Sequence, residues 1–306
     1  MLREQIISLF GGRIRANLET ANLDFENLQE IRLRINQPMI FLQNGKEIVL
    51  HDAVTSKDIR EIVETACGYS GYAFEEEIRK GYLTVPGGHR IGLAGRAVVK
   101  EGEVQTLKYI SALNIRVAHS AAGCAKKWRE YFYKENSPCH VLIVSPPGYG
   151  KTTLLRDAIK MFSDGAEKYP GVTVGVVDER SEIAGIYRGI QTYNLGMRTD
   201  VLDGCPKSAG MEMLLRSMSP KVIAVDEIGT ADVSSIENAL RCGCKVIATL
   251  HGEILEDFLA KPGFAALVNE RVFERYIFLK RGQTPGRVGV IYGQNFEILW
   301  EGEKCT

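Results

Sequence analysis

The segment 145–153 carries the residue types and the spacing that bind phosphate groups. It reads Ser-Pro-Pro-Gly-Tyr-Gly-Lys-Thr-Thr, and it joins an apolar run at 140–144 to a run with apolar residues at helical spacing. In a strand, loop and helix of this kind, the loop N–H groups surround the phosphates, and the helix N-terminus adds the positive end of its dipole. Lys151 would reach the β- and γ-phosphates, and the Thr152 hydroxyl would ligate Mg²⁺. The pattern predicts a site for a magnesium-bound nucleoside triphosphate, formed by Pro147, Gly148, Tyr149, Gly150, Lys151, Thr152 and Thr153.

One position of this loop departs from the usual phosphate-binding signature, G-x-x-x-x-G-K-[ST]. Ser145 stands where the signature has its first glycine, and Pro146 and Pro147 follow it. Because both prolines fix φ near about −65°, we expect the first turn of the loop to be built differently. The alternative, a strand-turn-helix without a ligand, is disfavoured because Lys-Thr-Thr on a glycine loop has little purely structural use.

A pair of carboxylates follows another apolar run later in the chain. The segment 221–227 reads Lys-Val-Ile-Ala-Val-Asp-Glu, which indicates a strand that ends in Asp226 and Glu227. We expect this strand to lie beside the one that precedes the phosphate loop, so that Asp226 would face the Mg²⁺ shell near Thr152. Glu227 would orient and deprotonate the attacking water. The alternative is a strand end with solvated acids, which becomes less favoured once the phosphate loop precedes it.

Two further apolar runs end in polar residues that belong at the same edge of the sheet. The run at 174–180 ends in Asp178, Glu179 and Arg180, and the run at 246–252 contains Thr249 and His251 near its end. Asp178 or Glu179 could touch the metal shell or the water, and Arg180 could instead pair with them as a structural group. His251 is either a γ-phosphate sensor or a packed or surface residue.

The elements that position these groups divide the chain in two. Alternation at 31–35, an Asn44-Gly45 turn, a helix capped by Ser56 and a hairpin at Gly87-Gly88 predict a small α+β domain. A helix over 121–134 closes this domain, 1–134, before a break at Lys134-Glu-Asn-Ser-Pro138. Unalternating apolar runs at 140–144, 172–177, 222–225 and 246–250, with helical stretches between them, predict a parallel α/β sheet over 138–306.

Bulk composition limits the partners. Lys plus Arg and Asp plus Glu number 38 each, so no global field draws the chain to nucleic acid or to anionic lipid, and no nucleic-acid partner is expected. No apolar run approaches the length of a membrane span, and the N-terminus lacks the pattern of a signal peptide. The 7 cysteines are scattered, which is typical of reduced thiols in a cytoplasmic protein.

Four motifs in this order resemble the secretion ATPase superfamily, which drives type II and type IV secretion and type IV pili. After the glycine loop come the strand ending in Asp178-Glu179, the run 213–229 with Arg216 before Asp226-Glu227, and Ala-Thr-Leu-His-Gly at 248–252. They look like the acidic box, the Walker B region and the histidine box of that superfamily. Weaker similarity at 32–38 and 88–96 extends the resemblance to about residues 28–300. Many members have a glycine before the Walker B glutamate, where this chain has Asp226, so metal ligation is expected to differ in detail.

The resemblance implies a fold class, a chemistry and an assembly. The fold would be α/β, with a RecA-like P-loop NTPase domain and a mainly parallel sheet, preceded by a smaller α+β domain. The chemistry would be hydrolysis of ATP with Mg²⁺ in a homo-oligomeric ring, most simply a hexamer. The run 176–185 is most similar to a branch from endospore-forming bacteria. That branch implies a protein of the mother-cell cytoplasm that joins a secretion-like sporulation channel through integral-membrane partners.

Three arginines of the first domain are candidates for the phosphates. In the superfamily, nucleotide lies between the two domains, and arginines of the N-terminal domain or of a neighbouring subunit approach it. Arg90, Arg96 and Arg116 would serve here, because an arginine at developing phosphoryl charge can raise the rate by ~10³-fold or more. Each has the alternative of being an exposed strand residue.

Two other functions use the same residues. An ATP-dependent nucleic-acid motor has the same core, but it requires a basic, aromatic-lined channel that the sequence does not indicate. A nucleotide-gated assembly scaffold would bind ATP and barely turn it over, and the unusual Ser145 keeps that alternative open. The catalytic candidates are Glu227, Glu179, His251, Arg90 and Arg96, with Thr152 and Asp226 as the ligands of Mg²⁺.

Overall fold

The computed structural model describes residues 2–68, 74–119, 123–187, 189–260, 262–282 and 285–302. Their contacts divide the chain into two compact units. The first contains Met1–His119 and Gly185–Thr192, and the second contains Ser120–Ala184 and Tyr193–Thr306. No helix in the described ranges is both long and apolar enough to cross a bilayer.

The described part of the first unit combines an antiparallel sheet with α-helices. Its helices are α1 (Leu2–Ile7), α2 (Gly12–Thr20), α3 (Ser56–Ala66) and α4 (Glu75–Arg79). Its strands are β1 (Leu28–Arg34), β2 (Pro38–Gln43), β3 (Lys46–Ala53), β4 (Tyr82–Val85), β5 (His89–Lys100) and β6 (Glu103–Arg116). They lie in the order β3-β2-β1-β6-β5-β4. Alternation places Ile31 and Leu33 of β1 in the core, and the predicted α+β character and both hairpins are confirmed.

The predicted cap of α3 is off by one residue. Thr55, rather than Ser56, is the N-cap: its hydroxyl accepts the Asp58 N–H at 3.2 Å, and the Asp58 carboxylate accepts the Thr55 N–H at 2.7 Å. This reciprocal pair satisfies two helix N–H groups at once, and Ser56 has no counterpart to it.

The second unit is built on a mixed sheet. Its strands are β7 (Tyr133–Lys134), β8 (Ser137–Pro138), β9 (Val141–Ser145), β10 (Val174–Asp178), β11 (Thr199–Asp203), β12 (Val222–Val225), β13 (Lys245–His251), β14 (Arg275–Leu279), β15 (Val288–Gly293) and β16 (Ile298–Glu301). Its helices are α5 (Arg129–Phe132), α6 (Lys151–Asp164), α7 (Lys207–Ser217), α8 (Val233–Arg241), α9 (Leu255–Leu259) and α10 (Ala265–Asn269). Strands β7 and β8 form a small separate ladder.

The order of the large sheet sets where the polar strand ends meet. It runs β11-β10-β12-β13-β9-β14-β15-β16, with parallel pairing from β11 to β14 and antiparallel pairing beyond. The four predicted apolar runs are strands β9, β10, β12 and β13, so that part of the prediction is confirmed. Their central residues are fully buried, as strands covered on both faces must be. The predicted pairing of β12 with β9 is wrong, because β13 lies between them. The carboxyl ends of β10, β12, β13 and β9 nevertheless lie side by side at one edge.

The segment before β9 differs from its prediction. Instead of one helix over 121–134, the described part is a 3₁₀ turn at Lys126–Trp128, the short helix α5 and then strand β7. Phe132 and Tyr133 pack against Phe162 of α6, with ring centroids 6.0 and 5.3 Å apart. Because these aromatic rings are buried against α6, the segment belongs to the second unit. The contacts divide the chain before it, whereas the sequence predicted the linker at 134–138.

Candidate functional site

The segment 145–150, from the last residue of β9 to the residue before α6, depends on two glycines with positive φ. Gly150 caps α6 with φ 90°, and a Cβ there would lie 2.3 Å from the backbone nitrogen of Gly286. Gly148 has φ 81° and no atom within 4 Å of the position a Cβ would take. The loop is held from the other side by Gly286, whose N–H donates to the Tyr149 carbonyl at 2.9 Å. Residues 145–150 are called the glycine loop below.

The first turn of the glycine loop is closed by the serine that replaces the signature glycine. Ser145 is fully buried as the last residue of β9, where it pairs with His251. Its hydroxyl donates to the carbonyl of Pro146 at 3.0 Å. A buried hydroxyl thus finds a local acceptor within the turn, so this position accommodates serine without an unsatisfied polar group.

Lys151 is the buried cation of the site. Its Nζ donates to the carbonyls of Ser145 and Pro146 at 2.9 and 3.1 Å, and it lies 3.1 Å from Nδ1 of His251. An ammonium only donates hydrogen bonds, so this Nδ1 accepts and Nε2 carries the proton of the ring. Burial lowers the pKa of Lys151 below its ordinary value, while the charges of Asp226 and Glu227 act in the opposite direction.

The structure brings the two predicted magnesium ligands together. The Thr152 hydroxyl donates to Oδ2 of Asp226 at 2.6 Å. The Thr249 hydroxyl donates to the other oxygen of Asp226 and accepts the N–H of Glu227 at 2.8 Å. Thr249 is fully buried on β13, the strand beside β12, so it fixes the direction in which both carboxylate residues leave their strand.

Glu227 is at the centre of the polar edge. Its backbone has φ 50°, a region that non-glycine residues seldom occupy and that active-site residues use. Oε1 of its carboxylate accepts the His251 Nε2–H at 2.7 Å, and Oε2 lies 3.3 Å from Nη1 of Arg180. The predicted pairing of Arg180 with Asp178 or Glu179 is replaced here by its pairing with Glu227.

Asp178 organises the loop that follows β10. Its carboxylate, 2% exposed, accepts the N–H groups of Glu182, Ile183 and Ala184 at 2.8, 3.0 and 2.8 Å. Burial raises the pKa of Asp178 to about 6, although these three hydrogen bonds act in the opposite direction. The sequence predicted that Asp178 or Glu179 would touch the metal shell or the water, whereas this geometry has Asp178 hold the loop.

Replacement of Asp178 by alanine is expected to destabilise the protein by about 2–4 kcal/mol, because three buried N–H groups lose their acceptor. The midpoint of urea unfolding, followed by circular dichroism, measures this loss. Asp178→Asn serves as the control, since an amide oxygen still accepts part of these bonds, and it should lose less. Equal stability of Asp178→Ala and wild type would contradict this account of the loop.

Glu179 forms an ion pair with a lysine that no sequence pattern indicated. Oε2 of Glu179 lies 3.1 Å from Nζ of Lys207, at the start of α7. The same Nζ donates to the backbone carbonyl of Glu227 at 2.9 Å and lies 3.9 Å from Oδ2 of Asp232. Lys207 belongs to no signature, and only the folded arrangement of β10, β12 and α7 places it beside the site.

The three candidate arginines lie in the first unit and are described within it. The guanidinium of Arg90 stacks over the ring of Tyr82, 3.6 Å from its centroid. Arg96 is exposed on β5 opposite Lys108 of β6. Arg116 is exposed and lies 4.0 Å from a carboxylate oxygen of Glu30. Their predicted approach to phosphates stays a prediction.

The residues of the polar edge fit a magnesium-bound triphosphate. No atom lies within 4 Å of the position that a Cβ of Gly148 would take, and the Thr152 hydroxyl donates to the Asp226 carboxylate. In the parts of the chain that the structure describes, no group of three or more His, Cys, Asp or Glu side chains is arranged to hold a metal by itself. Mg²⁺ is usually bound by one or two carboxylates together with phosphates and water, which agrees with this small donor set.

The fold of the chain is similar to that of two solved structures. Its α/β fold, with an N-terminal domain, resembles the ATPase DotB of Yersinia pseudotuberculosis, with TM-score 0.61, 11% identity, and coverage of 94% of this chain and 81% of that one. The pilus retraction motor PilT, solved with bound ADP, gives TM-score 0.56 and 15% identity, and the match covers 98% and 84% of the two chains. An α/β fold that resembles those of DotB and PilT, with an N-terminal domain before it, is therefore confirmed.

The family of the chain is shown by its amino-acid sequence. The chain belongs to the family described as sporulation stage III, protein AA, whose model matches residues 1–299. It is 44% identical to stage III sporulation protein AA of Bacillus subtilis over 273 residues, which is 89% of each chain. The resemblance of the run 176–185 to a sporulation branch is thereby confirmed.

Proposed function

We propose that this chain is an ATP hydrolase that depends on Mg²⁺. The observation that carries the proposal is the convergence of Lys151, the Thr152–Asp226 pair and Glu227 at one edge of the sheet. This combination of a cation, a magnesium ligand pair and a further carboxylate is what phosphoryl transfer to water requires. The names of the structural neighbours, an ATPase and a motor bound to ADP, favour adenine nucleotide.

Each residue has a separate task in this proposal. The backbone N–H groups of residues 148–153 would bind phosphate oxygens, and Lys151 would neutralise charge on them. Magnesium, held by Thr152 and Asp226, would supply further charge neutralisation. Glu227 would orient the attacking water and take its proton, and His251, which already contacts both Lys151 and Glu227, would hold that carboxylate in place.

The biological setting follows from the family. A sporulation protein with a secretion ATPase fold suits a hexamer that powers a secretion-like membrane channel during endospore formation, on the cytoplasmic side of the mother cell. Integral-membrane partners would attach it there. In such a ring, Arg90, Arg96 or Arg116 would approach the γ-phosphate from the same subunit or from a neighbour.

Lys151→Ala tests the proposed nucleotide site. We expect ATP to bind about 10- to 100-fold more weakly, because charged hydrogen bonds to phosphate are lost, and we expect hydrolysis to fall with it. Calorimetry in excess Mg²⁺ measures binding, and phosphate release over a range of protein concentrations measures turnover. Lys160→Ala is the matched control, since Lys160 lies on the same helix and pairs with Asp164 instead. A folded wild type without detectable ATP binding would refute the proposal.

A further inference from the structure

We propose that Lys207 is a positioning residue for Glu227, one that sets where the catalytic carboxylate stands. This inference rests on the function proposed above. It concerns a residue of α7 whose side chain reaches three separate elements at the polar edge.

The first observation is the set of contacts around the ammonium. Nζ of Lys207 donates to the Glu227 carbonyl at 2.9 Å and pairs with Glu179 at 3.1 Å, and Asp232 lies at 3.9 Å. An ammonium has three donors, and three acceptors surround it. Its side chain is 14% exposed, whereas that of Glu179 is 38% exposed, so the ammonium itself is largely shielded from water. Lys207 thus joins the residues that follow β10 and β12 to the turn before α8.

The second observation is the backbone of Glu227. With φ 50°, this residue holds a strained conformation that persists only when its surroundings enforce it. The Thr249 hydroxyl accepts its N–H, and Lys207 donates to its carbonyl. The two contacts hold both peptide groups that flank the Cα, and they therefore fix the direction of the side chain.

The third observation is that the helix itself disfavours a lysine at this place. Lys207 is the first residue of α7, after Pro206. A positive charge in the first turn is opposed by the positive end of the helix dipole, and the carboxylates of Glu179 and Asp232 offset that repulsion. A residue that breaks a local rule and is compensated by the site is expected where function requires it.

The test compares Lys207→Met with Lys245→Met. Lys245 also forms a half-buried ion pair, 2.8 Å from Glu274, but it lies at the beginning of β13 and therefore at the opposite edge of the sheet. We expect Lys207→Met to lower kcat about 10- to 100-fold, because the carboxylate is displaced, while ATP affinity and KM stay within about twofold. Lys245→Met should leave kcat near that of wild type, and Lys207→Arg should recover at least about tenfold over Lys207→Met.

The possible outcomes separate the two proposals. If wild type is active and the kcat of Lys207→Met is no lower than that of Lys245→Met, this inference alone is overturned. An equal loss of ATP affinity and kcat in Lys207→Met overturns it as well. An inactive wild type overturns the proposed function and this inference with it. Should Lys207→Met fail to fold in thermal unfolding, Lys207→Ala replaces it under the same criteria, since alanine also removes the donor to the Glu227 carbonyl and suits a helix.

Discussion

Glu227→Gln is expected to lower the rate of ATP hydrolysis by about 10²- to 10⁴-fold while ATP still binds. The amide has the shape of the carboxylate but cannot accept a proton from water. The contacts that bind nucleotide in the proposed site are made by the glycine loop, Lys151 and the Thr152–Asp226 pair, none of which the substitution removes. Binding and turnover should therefore separate in this variant, in contrast to Lys151→Ala.

The measurement is single-turnover hydrolysis on assembled protein, together with calorimetry for ATP. Glu237→Gln is the matched control, because this substitution also removes a carboxylate, one that pairs with Arg241 within α8. It should hydrolyse ATP at the rate of wild type. Full turnover by Glu227→Gln would show that another group takes the proton, and it would remove Glu227 from the mechanism.

Gly150→Ala is expected to destabilise the second unit by about 2–5 kcal/mol and to abolish nucleotide binding. A φ of 90° is unfavourable for alanine by about 1–2 kcal/mol. The added Cβ would also lie 2.3 Å from the nitrogen of Gly286 and 2.8 Å from Pro285, and such overpacking costs typically about 1–3 kcal/mol. Because Gly286 holds the loop through Tyr149, its displacement would move the N–H groups that form the phosphate site.

Two other glycines separate the causes. Gly243→Ala meets a φ of 72° with no atom within 4 Å of the new Cβ, so it should lose only the strain energy. Gly148→Ala, at φ 81° and also without neighbours, should lose little stability beyond that strain but should weaken ATP binding. Urea unfolding and calorimetry give both quantities. A stability loss no larger for Gly150→Ala than for Gly243→Ala would contradict the close packing of the loop.

The prediction of the second unit succeeded where one physical rule dominates the local sequence. Strands covered on both faces are apolar throughout, so the runs that became β9, β10, β12 and β13 could be found without their neighbours. Strand β14 was missed although its run Tyr276–Leu279 is buried and apolar, which was a signal that could have been used. Strand β11 is only half-buried at the sheet margin and offers no such run.

The amino-acid sequence by itself determined the glycine loop, the strand ends with their carboxylates, and the family. Each of these is visible in residues that are contiguous in the chain. Backbone φ preferences, apolar runs and the polar groups that follow them depend on neighbouring positions. The tertiary structure alone decided which side chains meet: Thr249 on Asp226, Arg180 and His251 on Glu227, and Lys207 on Glu179. Those contacts depend on the strand order β10-β12-β13-β9. That order is set by packing across the whole sheet, and no local pattern encodes it.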